Sequence, residues 1–164
     1  MALHTAPAYL ELDGIQGDSQ DEKFKDKIEV VSWHWGASNH SSASSGKGHS
    51  TSVGQIHDIN VTKNQDKSSP ELMLRCVSGS TIPKGTLHCV KRTGDDQSIV
   101  HMKIEFEDMF VTNYQMGGHG HDTQTENMSL AFTTMKIIYT VQADSGSPDS
   151  TIDKGWHAKE NRPL

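Results

Sequence analysis

Residues 28–36 read Ile28-Glu29-Val30-Val31-Ser32-Trp33-His34-Trp35-Gly36. β-Branched and aromatic residues dominate the stretch, a composition that suits a strand. Successive side chains of a strand point to opposite faces. Trp33 and Trp35 then share one face, and Ser32, His34 and Gly36 share the other. Tryptophan is large and mostly buried. Trp33 and Trp35 are therefore expected in the core, with Ser32 and His34 turned toward water, a partner subunit or a cargo.

The same period of two recurs on both sides of this strand. Tyr9 to Leu12 reads as a short strand closing on the turn pair Asp13-Gly14. A strand over 55–63 puts Ile59 and Val61 on one face. Strands resume over 86–91, with a turn at 93–96. From 99 to 107, Val100, Met102, Ile104 and Phe106 alternate with His101, Lys103, Glu105 and Glu107, the pattern of a half-buried strand. Another strand spans 109–115. Between 126 and 142 the parity changes. Leu130 and Phe132 share one phase; Met135, Ile137, Tyr139 and Val141 share the other. A bulge or bend near Thr133-Thr134 explains the switch. Phe106, Phe132 and Tyr139 join the two tryptophans as expected core residues.

One helix is predicted, over the SPELMLRCVSG stretch at 69–79. Ser69 suits the N-cap, Pro70 the first helical position, Glu71 the positive end of the dipole, and Gly79 the stop. Leu72, Met73, Cys76 and Val77 form its apolar stripe. Three segments read as loops: the charged stretch 18–27, the polar stretch 144–155, and the Ser/Gly tract 38–52. That last tract, with Asn39, His40, Ser41, Ser42, Ser45, Gly46, Lys47, Gly48 and His49, carries almost nothing apolar. It cannot offset its own ordering entropy and is expected to be mobile unless a partner holds it. Many strands, one short helix and no βαβ rhythm indicate an all-β barrel or sandwich, as one domain over 1–164.

The chain has 164 residues, 33% hydrophobic and 22% charged. That supports a core, though a lean one, which oligomerisation or long polar loops would explain. A net charge of -6 argues against nucleic acid as the main partner, since phosphate binding needs a basic surface. Two cysteines, Cys76 and Cys89, are too few for a disulfide scaffold and read as buried thiols. The start MALHTAPAYLEL has neither a basic nor an apolar signal region. No apolar run reaches the roughly 20 residues of a membrane span. Membrane insertion is not expected, and export would use no cleaved signal peptide.

Ten histidines raise a metal reading. His119, His121 and Asp122 form an HxHD string in a glycine-rich loop. A zinc site needs three or four converging ligands with outer support. No companion stands at a telling spacing, so no resident metal or cofactor is assigned. A small jelly-roll enzyme or sugar binder using this loop is the rival reading. No GxSxG elbow, GxGxxG or P-loop occurs. Glu105 and Glu107 lie on the polar face of their strand, beside Asp108, and read as solvated charge rather than a glycosidase pair. No motif points to an enzyme.

Taken in order, these motifs resemble the Hcp family, the haemolysin-coregulated proteins of the bacterial type VI secretion system. Tyr9-Leu10-Glu11-Leu12-Asp13-Gly14-Ile15-Gln16-Gly17 is similar to the family's YLKIDGIKG start. Ser32-Trp33-His34-Trp35-Gly36 resembles SWSWG, with His34 in place of a small polar residue. Thr62-Lys63, Asp66-Lys67-Ser68-Ser69-Pro70-Glu71-Leu72 and Cys76 resemble the TKxxDKxSPxL segment. Tyr114-Gln115, Gly117-Gly118 and Thr125-Glu126-Asn127 resemble the SYQTGG and TE region, and Gly155-Trp156 the terminal GW. The resemblance implies a small β-barrel of two antiparallel sheets with a helix on one side. It implies hexameric rings that stack into a tube, with the loop from Asn39 to His49 at ring contacts. It implies export from the cytoplasm on sheath contraction, with effectors held in the lumen. The partners so implied are further copies of the chain, the sheath, spike and baseplate proteins, and the secreted effectors. Ser32 and His34 fall on the channel side in this architecture.

Overall fold

A computed structural model of the chain describes residues 6–40, 53–92 and 98–164. The strand over the tryptophans, β2, runs Ile28–His34. Ile28 and Val30 are buried from even positions, whereas Trp33 packs on the same core from an odd one. A bulge reconciles the two parities. The register against the strand Ile59–Asn64 jumps from Val30↔Lys63 to Ser32↔Thr62, leaving Val31 as the extra residue. Beyond that bulge Trp33 and Trp35 turn inward, and Ser32 and His34 outward. Both indoles are half-buried, packed against the core's edge rather than enclosed by it.

The remaining elements are β1 Ala8–Leu12, β3 Ala37–Ser38, β4 Gln55–Ile56, β5 Ile59–Asn64, α1 Ser69–Ser78, β6 Ile82–Arg92, β7 Ser98–Gly117, β8 Thr125–Ala131, β9 Thr134–Gln142, β10 Pro148–His157 and β11 Arg162–Pro163. The large sheet runs β11-β10-β9-β7-β6-β1-β2-β5-β8, and β8 also pairs with β7. That second pairing closes six strands, β7-β6-β1-β2-β5-β8, into an antiparallel barrel. Strands β9 to β11 extend from the first half of β7 as a flap, and β3 with β4 forms a separate hairpin. The fold is all-β with one helix, as expected.

The 20-residue β7 replaces two predicted strands. It passes unbroken through Asp108, which bends it at φ 49. Inward residues are even before the bend (Ile104, Phe106) and odd after it (Met109, Val111). Its first half pairs with β6 and β9, and its second half with β8. The phase change expected near Thr133 is a break between β8 and β9. Two predicted loops are structured instead. Residues 148–157 form β10, a strand with polar side chains on both faces and hence no apolar rhythm to betray it. In the charged stretch 18–27, Phe24 and Ser19 are buried.

Helix α1 begins one residue after Ser68, which stands at the N-cap, and ends at Gly79 in the left-handed region, φ 68. Only Leu72 of the expected stripe is fully buried, with Cys76 half-buried. Met73 and Val77 face outward, because the helix rests on the barrel by the narrow face of Ser69, Leu72 and Cys76. Cys89 is buried and Phe106 lies in the core, tilted against a half-buried Phe132 at 4.9 Å. Tyr139, expected in the core, lies outside it. It shares the inward parity of Met135 and Ile137 but is 44% exposed, because β9 runs past the end of the core. The turn at 93–96 lies outside the described residues. Gly17 admits no side chain, since a Cβ there would overlap the Lys27 carbonyl and lie 2.6 Å from Ile28 Cα.

Candidate functional site

The outward faces of β2, β5, β8 and β7 bring Ser32 and His34 into two transverse rows. Ser32 pairs with Thr62, Thr62 with Asn127, and Asn127 with Gln115. His34 pairs with Asn60, Asn60 with Ser129, and Ser129 with Asn113. Each row thus crosses four strands, whose spacing is about 4.8 Å. Thr62 Oγ1 donates to Asn127 Oδ1 at 2.7 Å, and Ser129 Oγ to Asn60 Oδ1 at 2.6 Å. The rows floor a shallow depression of about 260 Å³. None of the eight side chains is Asp, Glu, Lys or Arg. Asp58, accepting from Thr112 at 2.7 Å, supplies the nearby carboxylate at the edge of the array.

The opposite wall is charged. On the outward faces of β1, β6, β7, β9 and β10 lie Glu11, His88, Lys103, Glu105, Lys136 and Asp153. Lys27 pairs with Glu11 at 2.8 Å, His88 with Glu11 at 3.0 Å, and Lys136 with Asp153 at 3.0 Å. Hydrogen bonding from Lys27 holds the Glu11 carboxyl below its ordinary range. Burial lowers His88 against the pull of Glu11, so desolvation wins there. One wall therefore offers neutral hydrogen-bonding groups and the other compensated ions.

Behind the neutral rows lies a buried polar cluster. Lys63 Nζ donates to Glu126 Oε2 at 2.7 Å, to Asp66 Oδ1 and Asn64 O at 3.0 Å, and to Ser69 Oγ at 3.4 Å. The Lys63 and Glu126 side chains are both 0% exposed. Asp66 also accepts from the Ser68 amide at 2.9 Å and from the Ser68 hydroxyl. Tyr114 Oη and Glu126 Oε1 are buried without a hydrogen bond. Burial, reinforced by Glu126, pushes the Tyr114 phenol up. Lys63, Asp66, Ser68, Ser69 and Glu126, drawn from the TK, DKxS and TE motifs, therefore form one interior network tying β5 and β8 to the start of α1.

The other expected site residues are not gathered with these. Asn39 and His40 follow the β3–β4 hairpin's first strand and are exposed. Ser41, Ser42, Ser45, Gly46, Lys47, Gly48 and His49 lie outside the described residues. His119, His121 and Asp122 are exposed in the β7–β8 loop. Among the described residues, no three His, Cys, Asp or Glu side chains are grouped so as to hold a metal ion. Nor is any helix there long and apolar enough to cross a membrane. Sequence reading missed Asn60, Asn113, Asn127 and Ser129. Their only signal is their alternation with Ile59, Val61, Met128 and Leu130, and the face they build needs the strand order.

Residues 9–139 match the protein family described as "Type VI secretion system effector, Hcp". The chain is 29% identical over 155 residues to protein hcp1 of Pseudomonas aeruginosa, covering 93% of this chain and 95% of that protein. Its structure is similar to one solved for a type six secretion system protein, with a TM-score of 0.89 and 29% identity over 98% of this chain and 100% of the other. It is also similar to Hcp1 from Salmonella typhimurium, with a TM-score of 0.77 and 31% identity over 96% and 97% of the two chains.

Proposed function

Because this chain belongs to the Hcp family of type VI secretion proteins, we propose that it is a tube subunit. The whole chain acts as one domain. Six copies close a ring, rings stack, and the assembled tube leaves the cell carrying effectors in its lumen. The neutral rows through His34 and Asn127 face the lumen, and the charged wall faces outward toward the sheath.

The observation that carries this reading is the contrast between the two walls. Loosely held cargo needs many weak, directional contacts and no strongly desolvated charge. Amides and hydroxyls supply these at about 0.5–1.5 kcal/mol each. Repeated around a ring, the rows would present that surface in every direction at once. The chain's part in this reading is to assemble and carry.

Sedimentation velocity at micromolar concentration tests assembly, with one species expected near six times 18.1 kDa and open rings in negative stain. A clean monomer across the concentration range overturns the proposal.

A further inference from the structure

Strands β5 and β8 meet where the barrel closes. Helix α1, β6 and β7 intervene between them in the chain, so no short turn sets their register. Their inward residues pair Ile59 with Leu130, Val61 with Met128, and Lys63 with Glu126. A slip of one residue would turn these side chains outward, and burial opposes it. A slip of two residues keeps the same side chains inside. Ile59, Val61, Met128 and Leu130 are all apolar and can exchange partners at small cost. The outer residues Asn60, Thr62, Asn127 and Ser129 are interchangeable hydrogen-bonding groups. Apolar patterning and outer hydrogen bonding therefore leave neighbouring registers nearly degenerate.

Lys63 and Glu126 remove the degeneracy. In one slipped register Lys63 would lie opposite Met128, and in the other Glu126 would lie opposite Val61. Either way two charges with 0% exposed side chains lose each other. A buried charge without its partner is strongly disfavoured, whereas the intact pair need add little stability. A single polar contact fixing register in an apolar seam is the best-attested use of such groups. Lys63 also holds Asp66 and Ser69, so the same ammonium links the seam to the start of α1.

We propose that the Lys63–Glu126 pair is the register key of the barrel's closing seam and positions the outward polar rows. A two-residue slip would shift one half of each row by about 7 Å against the other. Thr62 would then lose Asn127, and Asn60 would lose Ser129. As a statement about cargo this rests on the proposed function; as a statement about register it does not.

The test is cross-strand disulfide trapping. A Thr62→Cys/Asn127→Cys reporter, in a Cys76→Ser/Cys89→Ala background, reports the native register, because the two native side chains meet there. Thr62→Cys/Ser129→Cys and Thr62→Cys/Thr125→Cys report the two slips. With Lys63 and Glu126 intact, only the first should cross-link. With Lys63→Met/Glu126→Leu, the native cross-link should fall severalfold and a slipped one should rise, while circular dichroism still shows a folded β protein. If the double variant does not fold, Glu126→Gln gives the second reading, and a partial loss of the native cross-link is expected. Native cross-linking at the parent yield in whichever variant folds overturns the proposal. Retained cross-linking without cargo in the parent would instead strike the functional reading.

Discussion

The rings of Tyr9 and Phe24 lie parallel, with centroids 4.4 Å apart and planes 9° from coincidence. Tyr9 points to the outer face of β1, away from the core, yet it is fully buried. Phe24 and the segment around it roof it over, and Tyr9 Oη donates to Asp21 Oδ2 at 3.3 Å. A stretch that reads as solvated charge is a clamp on the barrel's outer wall. Phe24→Ala should destabilise by about 3–4 kcal/mol, as for a large aromatic removed from a packed site. Phe24→Leu should cost less. Chemical denaturation checks both, and an unchanged midpoint for Phe24→Ala would show that the segment holds without its anchor.

Alkaline pH should loosen the same region. Burial, with Asp21 beside it, pushes the Tyr9 phenol from its usual 10 up to about 12. The folded state thus favours the neutral phenol. Its contribution is fully present below pH 10 and is lost as pH rises through 12. Cys89, raised by burial to about 11, works in the same direction. Stability should fall between pH 10 and 12, and Tyr9→Phe should flatten part of that fall. A Tyr9→Phe profile identical to the parent's would place the alkaline sensitivity elsewhere.

Trp35 secures the barrel to its hairpin and flap, while Trp33 packs against the core. Trp35 Nε1 donates to the His57 carbonyl at 2.8 Å, and its ring lines a groove with Ile56, Ile137 and Trp156. Since both indoles are half-buried, Trp33→Ala or Trp35→Ala should cost about 3 kcal/mol, the lower end for large aromatics. Thermal unfolding measures the loss. Variants as stable as the parent would mean that neither ring matters to the packed core.

His34 offers the sharpest test of the neutral rows. His34→Gln keeps a hydrogen-bonding group there and should leave ring assembly and cargo co-purification unchanged near neutral pH. His34→Glu places a fixed carboxylate in an uncharged array and should lower cargo co-purification while rings persist. Equal loading of effectors by the parent and the Glu variant would remove His34 from the cargo surface.

Residues 41–50 are almost wholly polar, and the role proposed for this tract is contact between stacked rings. Deleting those residues should leave hexamers intact and abolish tube formation and secretion. Secretion at the parent level would reduce the tract to a linker.

Strand identity was legible wherever one face met the core over several residues. Ile59 with Val61, and Ile104 with Phe106, announced themselves by alternation. So did the helix, through Pro70 and Gly79. What escaped depends on residues distant in the chain. Ile28-Glu29-Val30-Val31-Ser32-Trp33 contains two apolar parities, and only the pairing with Lys63 and Thr62 reveals Val31 as the bulge that serves both. Strand β10 carries no apolar period because most of it, up to Lys154, is exposed on a flap that leaves the core. Tyr139 has the right parity and the wrong depth, since parity reports direction and not how far the core extends. The neutral face was half legible: Ser32 and His34 follow from alternation, whereas Asn60, Asn127 and Ser129 join them only through the strand order.

The seam between β5 and β8 also bears on how fast the chain reaches its native state. This contact requires ends separated by a helix and two long strands to meet, just as the β1–β6 pairing joins ends separated by an even longer stretch of chain. Loop-closure entropy must be met before that contact offers any return. Closure should therefore come late, with folding in the millisecond-to-second range of non-local β proteins. Until it comes, the outer edges of β5 and β8 stand unpaired, and a newly made chain in a crowd of identical chains is most prone to join the wrong neighbour in that interval.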